Sequence, residues 1–330
     1  MLSSNITRVH NFFIVGFPGL SPSYYGPASA VLFLVFLAIL VGNIFILVFV
    51  IYEKSLQKPT YLVFCHLALT DLSFGTVTLP QIISKYWFGN SIISFYGCFT
   101  QMFFVHYLGS VMSFLLLVMA LDRFIAICVP LRYPVLITNN IIFALCGSAW
   151  FLPLPLMMII IFQALSLPYC QSNIITQCYC DHISITNQAC GNDRKIAQIV
   201  TLCIAMFCLL VPLAFILISY VSVIIVILKM SNSAGRSRIL ATCTPQIFIT
   251  CLFYLPRCFV YIANTVGFSF SVDVRILLIL LYSLLPAAVN PIIYCFKTQE
   301  IKHTLIKRIK SCQLNVLFVW VCLNCSYLCL

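Results

Sequence analysis

Seven apolar runs of roughly 20–30 residues constrain this chain more than any other feature. They lie at about Gly26–Ile51, Thr60–Ser84, Gly97–Val129, Asn140–Phe162, Ile196–Lys229, Ile239–Thr265 and Val272–Phe296. A helix rising about 1.5 Å per residue needs about 20 residues to cross a ~30 Å hydrocarbon core. Strands of a membrane barrel would need only about 10 and would alternate in polarity; no such alternation is seen. Hydrophobic residues make up 62% of the 330 positions and charged residues 8%, whereas soluble domains carry about 25% charged residues. The expected fold is all-α: a multi-pass, seven-transmembrane helix bundle whose main partner is the lipid bilayer. No phosphate loop, nucleophile elbow or helical histidine pair for a metal appears, so neither enzymatic activity nor a cofactor is expected.

Charge sets the expected orientation. With the N-terminus outside, the inner side holds 12 of the 18 Lys and Arg residues, among them Lys54, Lys58, Arg123, Arg132, Lys229, Arg236 and Lys302. That is the positive-inside pattern. Met1 to Ser23 lacks the basic start, apolar block and cleavage site of a signal peptide, so the first run is expected to serve as the membrane signal. Asn5-Ile6-Thr7 is a glycosylation acceptor, usable only if it faces the lumen. The net charge of +11 then reflects topology rather than nucleic-acid binding. The expected division is 1–25 as extracellular N-terminus, 26–296 as the bundle, 297–311 as an amphipathic cytoplasmic helix and 312–330 as an apolar, cysteine-rich tail.

The third run carries Cys98 at one end and Asp122-Arg123-Phe124 at the other, 25 residues from Cys98 to Arg123. That is about 37 Å of helix, so the two ends face opposite sides of the membrane. An acid and a base side by side at the inner boundary can hold each other, and their separation would free the arginine for a partner protein. The simpler reading is a topology charge beside its counter-ion.

The run from Met119 through Asp122, Arg123, Cys128 and Pro130 to Tyr133 closely resembles the signature of vertebrate odorant receptors, which are rhodopsin-like G-protein-coupled receptors. The family usually has Tyr where Phe124 stands. Further matches follow in order: Gly42-Asn43, Pro59-Thr60-Tyr61, Cys65 to Asp71, Ser219-Tyr220, Arg238 (usually Lys) with Thr242-Cys243, Pro286, and Asn290-Pro291-Ile292-Ile293-Tyr294. Gly16-Phe17-Pro18-Gly19-Leu20 and Phe253-Tyr254-Leu255-Pro256-Arg257 resemble the fish-like branch. The resemblance spans about Phe12 to Lys310. It implies a plasma-membrane receptor that binds a small-molecule odorant and activates a heterotrimeric G protein of the olfactory, cyclic-AMP-raising type, with Asp122, Arg123, Tyr220 and Tyr294 forming the coupling switch.

The resemblance also implies a polar core of Asn43, Asp71 and Asn290, often arranged around sodium. An ionised carboxylate at that depth is expensive and usually functional; the alternative is a carboxyl group satisfied by the amides. Many relatives carry a second acid where Met112 stands, and a thioether ligates sodium poorly, which argues against a metal here. By the same resemblance Cys98 bridges to Cys180, and Cys170 pairs with Cys190. Cys178 is left odd and could compete for Cys98. A zinc site of Cys178, Cys180 and His182 is the less favoured alternative.

The family's ligand pocket lies between the outer halves of the third, fifth, sixth and seventh helices. Within that zone His106, Ser110, Arg257 and Tyr261 are the candidate ligand-binding residues. A guanidinium in an apolar span stays charged and wants an anionic or dipolar partner, which points to an acidic odorant. Helix carbonyls, another side chain or lipid headgroups could satisfy it instead. Ile301, Leu305, Ile306 and Ile309 interleave with Lys302, Lys307, Arg308 and Lys310 as in an amphipathic membrane-surface helix. The tail from Val316 is too short for a confident span; membrane association, S-acylation and no role in the receptor all stay open. The competing functions are a non-olfactory rhodopsin-like receptor for a hormone or metabolite and, from another class, a transporter. No repeated halves of the transporter kind are seen.

Overall fold

In the computed structural model the described residues are 9–310 except 171, 267, 269, 299 and 309, and the side chains at 238, 261, 264, 265, 296 and 297 also lie outside the description. Asn5 and the tail from 312 are therefore not part of it.

Among the described residues, seven helices are long and apolar enough to cross a membrane. They are α1 (Tyr25–Tyr52), α2 (Pro59–Phe88), α3 (Phe95–Cys128), α4 (Asn139–Leu165), α5 (Asp193–Lys229), α6 (Ser233–Thr265) and α7 (Val272–Lys297). α4 is built of two segments, Asn139–Phe151 and Leu154–Leu165, joined at Leu152-Pro153. Helices are imposed because lipid offers backbone groups no partners. The helix ends overrun several of the apolar runs: α2 continues past Ser84 to Phe88, and α6 starts at Ser233 rather than Ile239. Intrahelical hydrogen bonding does not stop where hydrocarbon ends.

The ends follow local chemistry. Pro59 begins α2, where its missing N–H is not needed. Gly89, at φ 72°, closes α2 in the left-handed region. Ser94, Thr138 and Ser271 cap α3, α4 and α7, each accepting a backbone N–H of the first turn. α3 is the axis of the bundle, buried along most of its length against α2, α4 and α5. α1 fully buries Ser29, Ile39, Asn43, Ile46 and Val50, and Leu32, Val35, Phe36, Leu47 and Phe49 pack half-buried beside them.

The expected all-α bundle carries one small addition. β1 (Asn11–Ile14) is the middle strand of a three-stranded sheet, antiparallel to β2 (Ile92–Ser94) and parallel to β3 (Ile174–Ile175). Phe12 and Ile14 point into the molecule while Asn11 and Phe13 point out, the two-residue period of a strand with one buried face. The N-terminal segment thus straps the α2–α3 and α4–α5 loops together. At its end Gly16 takes φ 67°, the Phe17 amide donates to the Tyr86 hydroxyl at 2.8 Å, Lys85 donates to the Val15 carbonyl, and the Gly19 amide donates to Asp273 at 3.2 Å.

At the opposite face α7 runs through Lys297, so that residue does not open the amphipathic helix. Thr298 is extended (φ −86°, ψ 107°) and breaks the chain direction. The next helix, α8, covers 300–308. It is held to the α1–α2 turn: Lys58 and Tyr61 donate to Glu300 at 2.7 and 2.9 Å, and Arg308 pairs with Glu53.

Candidate functional site

The N-terminal face of the bundle is roofed by the α4–α5 loop. Cys180 is bonded to Cys98 at the start of α3, and Cys170 to Cys190 within the loop, with Cα separations of 5.4 and 5.9 Å. Gln101, one turn below Cys98, accepts from the Cys180 amide and donates to the Val77 carbonyl, both at 2.8 Å. Three elements are so fixed by one side chain. Cys178 is a buried thiol. Burial pushes it up to about 12, against the opposing charge of Lys85, so it is a poor thiolate and a poor competitor for Cys98.

From this anchor the roof reaches both ways across the bundle. Tyr179 meets Ser283 of α7 at 3.3 Å between hydroxyls. Burial holds its phenol above the ordinary range; Ser283 opposes that shift, Asp181 adds to it, and Arg257 opposes it. His182 turns toward α5, where Nε2 lies 3.0 Å from the Thr201 hydroxyl. Its ring meets that of His106 on α3 edge to face, with centroids 6.4 Å apart. Burial, then the neighbouring His106, push His182 down to about 3, so it is neutral at physiological pH. Asp181 is raised by burial, with Ser184 and Arg275 opposing.

The sequence-derived ligand residues do not all converge. His106 faces the roof. Ser110 is buried, but its hydroxyl donates to the His106 carbonyl at 3.0 Å, back into its own helix. Arg257 on α6 lays its guanidinium over the Phe253 ring at 3.8 Å and near the Tyr282 ring at 5.1 Å. The Tyr261 side chain lies outside the described residues. Four further polar groups were not singled out from the sequence: Tyr179, Asp181, and the pair Ser113 and Tyr254, whose hydroxyls lie 2.6 Å apart between α3 and α6. Alternating apolar and aromatic residues give no cue to which of them face inward.

Midway down, Asn290 donates to Asp71 at 2.8 Å, and Asn43 donates to the Ala287 carbonyl at 3.0 Å. Gly42 helps: a Cβ there would stand 3.0 Å from the Pro291 side chain, so a larger residue would push α1 and α7 apart by a few tenths of an ångström unless Pro291 gives way. The Oδ1 atoms of Asn43 and Asn290 are buried with no partner among the described residues. Such oxygens suit water or a hard cation, while the remaining family position, Met112, offers only sulfur.

At the C-terminal face Asp122 is almost wholly buried and is clasped from three sides. Arg123 stands 3.1 Å from it, Thr60 of α2 donates to it at 3.0 Å, and Tyr133 donates to its other oxygen at 2.9 Å. Arg123 also donates to the Thr60 hydroxyl at 2.7 Å. Burial, and then the charge of Asp122, raise the Tyr133 phenol to about 12, so it is always a donor here. Tyr294 stacks on Phe64 with centroids 4.4 Å apart. Neither the Tyr220 nor the Tyr294 hydroxyl bonds to Arg123 among the described residues, and the buried Tyr294 hydroxyl has no hydrogen-bond partner among them.

A protein-family model described as "Olfactory receptor" matches residues 32–312. Human olfactory receptor 52N5 is 38% identical over 300 residues, covering 90% of this chain and 92% of that protein. Human olfactory receptor 52K1 is 34% identical over 305 residues, covering 92% and 96%. Human olfactory receptor 51E2 is 34% identical over 319 residues, covering 94% and 97%. The chain belongs to the olfactory receptor family.

It is a G-protein-coupled receptor and not an enzyme, and its helices make it a multi-pass membrane protein. For an olfactory receptor, the two polar regions divide naturally. The loop roof is anchored at Cys98 at one end of α3, and the Asp122–Arg123 clasp lies at the opposite end of the same helix. The polar core of Asn43, Asp71 and Asn290 stands between them.

Proposed function

We propose that this olfactory receptor binds an odorant beneath the α4–α5 loop and activates a heterotrimeric G protein of the cyclic-AMP-raising type, with its N-terminus outside the cell and its bundle in the plasma membrane. The observation that carries the reading is Arg123, tied to Asp122 and Thr60 at the far end of the helix whose other end anchors the loop. Release of that arginine is a two-state event that ligand binding can bias, provided the ligand prefers the released state. The orientation is supported by both disulfides lying at the N-terminal face, since disulfides persist in oxidising compartments. It is supported as well by Lys58, Arg132 and Lys302 at the other face. Asn5 would then be available for glycosylation. The motif at 16–20 supports placement in the fish-like branch.

The favoured ligand is anionic or strongly dipolar, with Arg257 as its main contact. The guanidinium carbon lies over the Phe253 ring, and the N–H donors of a guanidinium lie in its own plane. Stacking on rings and hydrogen bonding to a carboxylate are therefore compatible. His106 and the loop residue His182, whose rings meet edge to face, supply imidazole for a second polar contact.

The test is a screen of acidic and neutral odorants against the receptor in cells supplied with an olfactory G protein, read as cyclic AMP. An agonist found there should lose its response in Arg123→Ala at matched surface level. A full response in that variant would reject the coupling role of Arg123.

A further inference from the structure

Pro212 lies buried inside α5, with helix on both sides of it. Proline has no N–H, so the carbonyl one turn back, that of Cys208, loses its partner within the helix. Packed side chains and lipid offer no water to replace it, and an unsatisfied carbonyl at that depth is costly. The missing proton comes from α3: the Ser113 hydroxyl donates to the Cys208 carbonyl at 2.8 Å. Other buried hydroxyls of the bundle, on Thr70, Thr78, Ser110 and Ser219, donate to the carbonyl one turn back in their own helices. Ser113 instead serves a neighbouring helix.

A serine hydroxyl has one proton. With that proton given to Cys208, Ser113 can only accept from the Tyr254 hydroxyl, 2.6 Å away on α6. The order is therefore fixed: Tyr254 donates to Ser113, and Ser113 donates to Cys208. Both side chains are almost wholly buried, so bulk water does not compete. Two hydrogen bonds thus tie α5 and α6 to α3, about 15 Å along α3 from Arg123. On its other side Tyr254 meets the Phe253 ring edge-on at 4.9 Å, and Phe253 carries the Arg257 guanidinium at 3.8 Å. Pro256 interrupts the backbone bonding of α6 close by, which loosens that helix beside Tyr254.

We propose that Ser113 is a positioning residue for receptor activation: it stands in for the proton that Pro212 lacks, and the relay from Tyr254 through Ser113 to Cys208 holds α5 and α6 against α3 while Arg123 is clasped to Asp122. Swinging α6 away from α3 withdraws the Tyr254 hydroxyl but leaves Ser113 on Cys208. The α5 backbone stays satisfied while α6 is released, so the step breaks one hydrogen bond and exposes no bare carbonyl. That the held arrangement is the uncoupled one rests on the reading of Arg123 given above.

The test uses the full receptor in nanodiscs and compares Ser113→Ala, Tyr254→Phe and Pro212→Ala, singly and in pairs. Two readouts are taken: thermal melting, and ligand-free nucleotide exchange on a panel of G proteins. Ser113→Ala strips the Cys208 carbonyl of its donor and should lower the melting temperature. Pro212→Ala restores the backbone donor, so Ser113→Ala made in that background should lose most of its melting shift. Equal shifts in the two backgrounds would overturn the idea that Ser113 replaces the proline's missing proton. Tyr254→Phe keeps the Ser113–Cys208 bond. It should raise exchange by about two- to tenfold, as expected for loss of one hydrogen bond, with a smaller melting shift than Ser113→Ala. Exchange equal to the unmodified receptor in both Tyr254→Phe and Ser113→Ala would leave the relay a structural tie and overturn the positioning role. The panel frees the result from the choice of G-protein class, and the melting comparison needs no coupling. Arg123→Ala, run alongside, tests the reading of Arg123 separately.

Discussion

Arg257 illustrates how a single side chain can be both anchored and functional. A cation at the centre of a span costs at least about 2.5–3.5 kcal/mol on insertion scales. Each aromatic face returns about 0.5–2 kcal/mol, depending on how dry it is, so Phe253 and Tyr282 offset much of that cost before any ligand arrives. An incoming carboxylate would add charge-assisted bonds worth about 1.5–3 kcal/mol. Arg257→Gln should therefore weaken acidic odorants by about 10–150-fold and change neutral ones far less, as measured by concentration–response at equal surface level. Unchanged potency of an acid in this variant would leave Arg257 as a structural anchor only. His182 permits a second test at this scale. Its folded value near 3 lies below the ~6.5 of an unfolded chain, so acidification loads protons onto the unfolded state first. Its contribution to stability is complete above about pH 6.5 and declines as pH falls toward the folded value. Thermal melting of the purified receptor should drop through that window, and His182→Gln should flatten the slope. An identical slope in the variant would assign the pH dependence to another group.

Among the elements, α2 and α3 share the clasp around Asp122 and Arg123. Thr60 gives its proton to Asp122 and takes one from Arg123, so one hydroxyl serves both charges. Thr60→Val keeps shape and helix while removing both bonds. Net hydrogen bonds contribute about 0.5–1.5 kcal/mol each, enough to raise a sparsely populated released state several-fold. Basal cyclic AMP should rise by about two- to tenfold without ligand; basal output equal to the unmodified receptor would show that the clasp does not limit activation. α8 is tied to the same corner. Burial raises Glu300, but the bonds from Lys58 and Tyr61 outweigh it and hold the carboxyl below its ordinary value. Tyr61 follows Thr60 in α2, so α8 and the clasp share one short stretch of helix.

Across the whole molecule, the N-terminal strap decides whether the bundle has a stable roof. Phe12 is fully buried among Phe95 and Tyr169, stacked on the first and edge-on to the second. Its strand pairs with two loops that are distant in sequence. Truncation of a buried Phe costs about 3–5 kcal/mol, and a charge in its place costs more. Phe12→Asp should sharply reduce surface expression, whereas the outward-facing Phe13→Asp should be tolerated. Flow cytometry of the two variants side by side would settle this, and equal expression would mean that the strap does not matter to folding. The two disulfides complete the roof at different ranges. The Cys98–Cys180 bridge closes 82 residues and the Cys170–Cys190 bridge closes 20, and chain-entropy reasoning assigns the longer loop about 1 kcal/mol more stabilisation.

The sequence by itself determined the seven spans and the two ends of α3, because these depend on run length and spacing along one helix. It also carried the family signature around Asp122-Arg123, which the matches to olfactory receptors bear out. Only the tertiary structure decided which side chains meet. In a membrane bundle both the lipid face and the packed face are apolar, so hydrophobic periodicity hardly reports how each helix is rotated. That is why Ser110 could be placed near the site and yet bond back into its own helix, why Tyr254 was read as part of a motif but not placed opposite Ser113, and why Arg257 could not be seated on Phe253 and Tyr282 in advance. Loop residues escaped for a second reason. His182 opposite His106 and Asn11–Ile14 between two loops are non-local pairings, and a four-residue apolar stretch holds no information about which distant edge it will join.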